Sequence, residues 1–247
     1  LALQLNQQGC HLWLSDVDDA GLAETVSLLQ NSTAKSDSRH LDVADRAAVH
    51  PLAEDVENAV GHADLVINNA GVGLGSRVYE TRFEDFEWLM NINVWGVVHG
   101  TMAFLPLLKK AEAGHLVNIS SIFGMVGIPT VSAYNASKFA VRGFTEALRQ
   151  EMADTNVHVC CVHPGGIKTN IARNSRSSDP DSVVEERAQT FDRMARTTAE
   201  SAAEQILRAT EKRKKRLLIG LDAKYLSLIS RLFPVNYPRL IPNLEQP

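Results

Sequence analysis

Three cysteines in 247 residues, Cys10, Cys160 and Cys161, are too few and too badly spaced for a disulfide framework, and none forms a CxxC pair. That scarcity points to a reducing, cytoplasmic setting. No apolar run reaches the roughly 18 residues of a membrane-spanning helix. The opening stretch LALQLNQQGCHLWLSD has neither the basic start nor the cleavage site of a signal peptide. A basic excess is missing too: 25 Lys and Arg face 29 Asp and Glu, for a net charge of −4, which argues against a nucleic-acid binder. No repeat, low-complexity linker or compositional break divides the chain, so residues 1–247 read as one domain with room for a large core.

What is present is an alternation of short apolar runs with longer helical patterns. LALQLNQQG reads as the end of an amphipathic helix closed by Gly9. Strands are expected at 10–16, 38–43, 64–68, 115–121, 157–166 and 216–220. Helices are expected at 18–30, 45–60, 83–110, 132–154 and 199–213. Short strands rich in Val, Ile and Leu are those that helices cover on both faces. The pattern predicts an α/β fold: a doubly wound parallel sheet, Rossmann-like, in three layers. The polar, turn-rich segment RNSRSSDPDSVVEER (173–187) reads as part of a mobile lid over 173–198, and 222–247 as a C-terminal tail. KRKKR (212–216) reads as a solvated helix end.

Tyr134 and Lys138 in YNASK stand at i and i+4 of a predicted helix, so they share a face. Alone, that spacing is weak evidence of chemistry. Three strand ends strengthen it: NISS delivers Ser121, NNAG (68–71) supplies small residues against which a ligand can lie, and HPGGIKT (163–169) supplies a glycine turn. Open α/β sheets gather their ligands at the carboxyl ends of their strands. His115 and His163 flank strands without a carboxylate nearby in sequence and read as structural.

These motifs, with NVWG (93–96) and PGGIKT (164–169), resemble in order and spacing the short-chain dehydrogenase/reductase family, in its compact single-domain branch, over nearly the whole chain. The resemblance implies an NAD(P)-dependent oxidoreductase acting on a secondary alcohol or ketone. It casts Tyr134 as acid/base, Lys138 as the cation that lowers the tyrosine's pKa and binds the nicotinamide ribose, Ser121 as the hydrogen-bond donor to the substrate oxygen, and Asn93 as support for a water relay to Lys138. Asp42 and Val43 are similar to the adenine-contacting pair, and Asn69, Ala70 and Gly71 to the adenosine-side turn. Pro164, Gly165, Ile167 and Thr169 are similar to the residues around the nicotinamide carboxamide and phosphates. Asp16 ends a strand where an acidic residue accepts from ribose hydroxyls and repels a 2′-phosphate; Val17 follows, so NAD is favoured over NADP. As an alternative role, Asp16 caps the helix that starts near Asp18.

The family's glycine-rich turn, TGxxxGxG, does not occur in the sequence, and GVGLG (71–75) is no substitute because no phosphate-loop helix follows it. In the family's strand order 3-2-1-4-5-6-7 that turn follows a strand lying between the strands at 10–16 and 64–68. The expectation is that a strand and turn precede residue 1, and that without them two inner strand edges stay unpaired. Ile122, Phe123, Met125, Val126 and Ile128 are expected to line a cleft for a moderately apolar substrate. The apolar tail from 225 is expected to cover that cleft, to pack on a neighbouring subunit, or, least favoured, to lie on a membrane surface. The helices at 83–110 and 132–154 resemble those forming the family's four-helix interface, implying a homodimer or homotetramer. The competing reading is a non-catalytic NAD-binding or interaction protein of the same fold.

Overall fold

A computed structural model describes residues 1–241; the tail's last six residues, 242–247, lie outside the described residues. In chain order the elements are α1 (Ala2–Gln7), β1 (Leu12–Asp16), α2 (Asp19–Ser27), β2 (Ser36–His40), α3 (Arg46–Val60), β3 (Leu65–Asn68), β4 (Leu74–Gly75) and α4 (Phe83–Met90). A π-helical turn (Asn91–Trp95) joins α4 to α5 (Gly96–Lys110). Then come β5 (Gly114–Ile119), a 3-10 turn (Ile122–Gly124), α6 (Ser132–Glu151), β6 (Val157–Pro164), β7 (Ile167–Lys168) and β8 (Arg176–Ser177). The chain continues with α7 (Asp181–Met194), β9 (Thr197–Thr198), α8 (Ala199–Glu211), β10 (Arg216–Ile219), α9 (Leu221–Leu232) and α10 (Tyr237–Leu240).

The main sheet is parallel, in the order β10-β6-β5-β3. Neighbouring residues of its central strands point into different layers, as the pleat requires. Val117 and Cys160 pack with Ile206, Leu217 and Ile219 on the α8 side. Leu116 and Val159 pack with Leu108 of α5 and Leu148 of α6 on the other. Burial on both faces explains why β5 and β6 read as continuous apolar runs. This is the three-layer α/β architecture expected from the pattern.

β1 and β2 form a separate parallel pair, with Leu12 opposite Ser36. Among the described residues β1 pairs only with β2 and β3 only with β5, and every residue of β3 is merely half-buried. The two unpaired inner edges are those the sequence leads one to expect.

Local signals account for most element ends. Asp45 caps α3 by accepting from Ala47 N at 2.8 Å, and Gly61 ends it with φ of 79°. Gly9 follows α1 with φ of 84°. Asp18, rather than Asp16, caps α2, accepting from Gly21 N at 3.0 Å; Asp16 instead accepts from Asp18 N at 3.0 Å.

Three expected segments take a more specific form. The helix at 83–110 is interrupted by the π turn, which inserts one extra residue and turns Asn93 inward to complete burial. The segment 173–198 is largely structured: β8 pairs with β4, and α7 follows. Arg176 stacks on Trp88 at 3.7 Å and bonds Asp85 at 2.8 Å, so charge and an aromatic face fix the turn-rich stretch. The tail forms α9 and α10, because Ala223 and Leu226 bury against Ile122 and Met125.

Candidate active site

β5 ends at Ile119, and the chain turns so that Ser121 caps the 3-10 turn, its Oγ accepting from Phe123 N at 3.1 Å. Its neighbour Ser120 is structural, donating to the Lys138 carbonyl at 2.8 Å. α6 presents Tyr134 and Lys138 on the face that meets this turn. Ser121 comes near enough to the Tyr134 hydroxyl to favour its ionised form by hydrogen bonding, and the Lys138 ammonium lies 5.6 Å from the Tyr134 ring centre. The structure therefore brings Ser121, Tyr134 and Lys138 together.

Burial pushes the Tyr134 phenol above its ordinary pKa, opposed by the Ser121 hydrogen bond. Depression of the phenol by Lys138, expected from the sequence, is not what the protein alone produces. The reason is desolvation, which also depresses Lys138 itself to about 8. Lys138 is 3% exposed and donates to the Ile119 carbonyl at 3.2 Å. An ammonium has three donors, so two remain.

Asn93 is a clamp. Its Oδ1 accepts from Val72 N at 2.8 Å, and its Nδ2 donates to the Val72 carbonyl at 3.0 Å and to Ser137 Oγ at 3.1 Å. Both amide hydrogens are thus used. The clamp sets Gly71 beside the lysine: a Cβ on Gly71 would stand 3.3 Å from both Asn93 Oδ1 and Lys138 Nζ.

The remaining predicted contacts lie at or just past the ends of β2, β3, β6 and β7. Asn69 and Ala70 are exposed just past β3. Asp42 is exposed, its carboxylate accepting from Ala44 N at 2.9 Å. Val43 packs so closely on the helix of NVWG that a Cβ on Gly96 would come within 2.6 Å of it. Pro164 and Gly165 close β6 half-buried, and Thr169 is exposed. Ile167 is turned into the α8-side core, so only its backbone faces away from that cluster. Of the five residues expected to line the cleft, Ile122, Met125 and Val126 are instead buried against α9. Phe123 and Ile128 stay half-exposed, with the Phe123 ring edge-on to Tyr134 at 6.4 Å.

Four residues of these motifs that were given no site role support the site. Asn135 holds the wall after Ser121, donating to the Phe123 and Val126 carbonyls at 2.8 Å each. Asn68 donates to Asn118 at 2.8 Å and Asn118 to Thr145 at 3.0 Å, a polar thread tying β3, β5 and α6. His163, fully buried, bonds through Nδ1 to the Ser121 carbonyl at 3.0 Å and so orients the serine's backbone. His115 begins β5, about 20 Å of strand away from Ser121, and is structural.

A dinucleotide fits part of this set. The buried Lys138, with two donors to spare beside a bare Gly71 backbone, suits the vicinal hydroxyls of a ribose. The chain offers no glycine-rich turn for the pyrophosphate.

Comparison with known proteins agrees. The family model for short chain dehydrogenase matches residues 1–180. SadH of Mycobacterium tuberculosis, provisionally described as an oxidoreductase, is 46% identical over 244 residues, covering 98% of this chain and 88% of its own. Dehydrogenase/reductase SDR family member 7B of Xenopus laevis is 36% identical over 218 residues, 86% of this chain and 67% of its own. A short chain dehydrogenase/reductase from Burkholderia phymatum, solved in complex with NAD, superposes with a TM-score of 0.86 at 28% identity, covering 99% of this chain and 90% of that one. A serine dehydrogenase complexed with NADP+ superposes with a TM-score of 0.77 at 25% identity, covering 87% of each chain. With its parallel sheet and its serine, tyrosine and lysine at one set of strand ends, the chain belongs to the short-chain dehydrogenase/reductase family of nicotinamide-dependent oxidoreductases.

Proposed function

We propose that this protein moves hydride between NAD and a secondary alcohol or ketone of moderately apolar character. The observation that carries the reading is the meeting of Ser121 with Tyr134 on the face of α6 that also buries Lys138. Lys138 and the backbone around Gly71 and Gly165 would hold a nicotinamide cofactor, which would supply or accept the hydride. The chain's own residues handle the proton. In reduction the Tyr134 hydroxyl gives its proton to the carbonyl oxygen; in oxidation the phenolate takes it from the alcohol. The Ser121 hydroxyl donates to the same oxygen where charge develops, worth about 2–4 kcal/mol by analogy with other such donors. The raised pKa keeps Tyr134 protonated, as a reductase's acid must be. A positive Lys138 nearby stabilises the phenolate left behind.

NAD is favoured over NADP by Asp16, exposed at the end of β1 and followed by Val17 rather than a cation. The half-exposed Phe123 ring against Tyr134 suits an apolar substituent on the reacting carbon.

Tyr134→Phe tests the proposal against a binding protein of the same fold. The variant is expected to lose at least about 1,000-fold in kcat while its NADH affinity stays within about threefold of wild type, as one proton-transfer group is removed and the fold kept. Unchanged turnover in the variant, or no turnover by wild type across a panel of alcohols and ketones, would overturn it.

A further inference from the structure

We propose that the C-terminal helices α9 and α10 form a strap that shapes both walls of the cleft, with Asp222 and Tyr237 as its positioning residues. This deepens the dinucleotide reading and rests on it. Asp222, in the first turn of α9, accepts from Gly166 N at 2.6 Å. Its carboxylate is wedged against the glycine turn that closes β6. A Cβ on Gly165 would come within 2.5 Å of Asp222 Cγ, and one on Gly220 would also strike the carboxylate. Gly220 further requires glycine because its φ is 98°, outside the range that other residues adopt readily. Gly165 N donates to the Ile219 carbonyl at 2.9 Å, so the turn is bound to β10 as well. The arrangement has the shape of a lock: two bare backbones on either side of one acid, which the next helix inserts.

Tyr237 makes the second attachment. Its hydroxyl accepts from Gly127 N at 2.8 Å and donates to the Gly127 carbonyl at 3.0 Å. Gly127 lies on the stretch after Ser121, between Phe123 and Ile128. Between the two attachments, Ala223 and Leu226 anchor the strap by packing on Ile122 and Met125. One element thus touches the Pro164–Gly166 turn on the cofactor side and the Ser121–Ile128 wall on the substrate side. Because the two attachments are separate, their effects should separate.

The test uses the full chain, with NADH binding followed by fluorescence and steady-state kinetics on an apolar ketone. Asp222→Ala is expected to weaken NADH binding about tenfold, the scale of one lost charged hydrogen bond. Asp222→Asn keeps an oxygen acceptor for Gly166 N and is expected to recover binding to within about threefold of wild type. Gly165→Ala should mimic Asp222→Ala. The double variant should bind no worse than either single one, because the added methyl then enters the space the carboxylate leaves. Tyr237→Phe should raise KM for the ketone at least about threefold with the NADH Kd unchanged. Equal NADH binding by wild type and Asp222→Ala, additive losses in the double variant, or an unchanged ketone KM in Tyr237→Phe would overturn the strap and leave the proposed activity standing. Failure of wild type to bind NADH would overturn both.

Discussion

At the scale of single residues, the site is governed by what burial does to charge. Lys138 carries its ammonium into the interior and is depressed to about 8 for want of solvent. Its positive form, which favours the phenolate, is therefore lost as pH rises through about 8. Carbonyl reduction should fall over that range. A kcat/KM profile in which reduction stays flat from pH 7 to 9.5 would contradict this. His163 follows the same physics with a different readout. Burial holds it down at about 4, so the folded protein keeps it neutral, with Nδ1 donating to Ser121. The unfolded chain takes up a proton near the ordinary value of about 6.5. Above that pH both states are neutral. Between about 6.5 and 4 only the unfolded state gains the proton, and stability is lost, by up to about 3 kcal/mol in all. Urea melts at pH 7 and pH 4 should show wild type losing about that much more than His163→Gln; parallel losses would refute it. That Tyr134 and Lys138 share a face of α6 was legible from their i, i+4 spacing; their roles and that of Ser121 are what the family resemblance implies. The partners of His163, Asn93 and Asp222 lie on other elements, and nothing local marks them. The sign of the Tyr134 shift was not legible for a similar reason, since desolvation belongs to the assembled fold.

At the scale of elements, periodicity located the helices that bury one apolar stripe and missed those held by other means. α3 puts Val49, Leu52, Ala53 and Val56 inward at helical spacing, and its bounds match the expected span to within a residue. The segment after β7 carries few apolar residues, so polarity alone suggests a loose lid. What orders it is side-chain chemistry on α4. Arg176 lies over Trp88 and bonds Asp85, while Ser177 donates to the Gly75 carbonyl at 2.6 Å. Gly73 makes the approach tight: a Cβ there would meet Ser175 Cβ at 3.1 Å. Arg176→Ala should release this attachment at a stability cost of no more than about 1 kcal/mol, since the ion pair is partly exposed. Limited proteolysis within 173–187 should quicken several-fold, and substrate KM should rise while the melting temperature moves by only a few degrees. Unaltered cleavage and KM would mean that the β4–β8 pairing alone holds the segment.

At the scale of the molecule, the layered sheet was legible because apolar strands alternating with helices have few ways to bury both sheet faces. The split between the β1–β2 pair and the main sheet was legible too, from the motif that the sequence lacks. The surface raises a further question. Trp95 and Met102 stand two turns apart, at the start and middle of the continuous π–α5 helix, and are 52% and 60% exposed; Phe139 on α6 is 42% exposed. Large apolar groups left on the outer faces of two long helices suit a self-complementary interface, in which a two-fold axis pairs each helix with its copy. We propose that this is how the chain assembles, as a homodimer or homotetramer. Met102→Glu discriminates well, because the side chain contributes little to the monomer's own core. On a free surface the change should be nearly neutral, within about 0.5 kcal/mol. In a two-fold interface it would bury two like charges without partners. Size-exclusion chromatography with light scattering should therefore find wild type at two or four times the 27.1 kDa chain mass and the variant at one. Wild type at one chain mass, or a variant that keeps the oligomer, would place the interface elsewhere or nowhere.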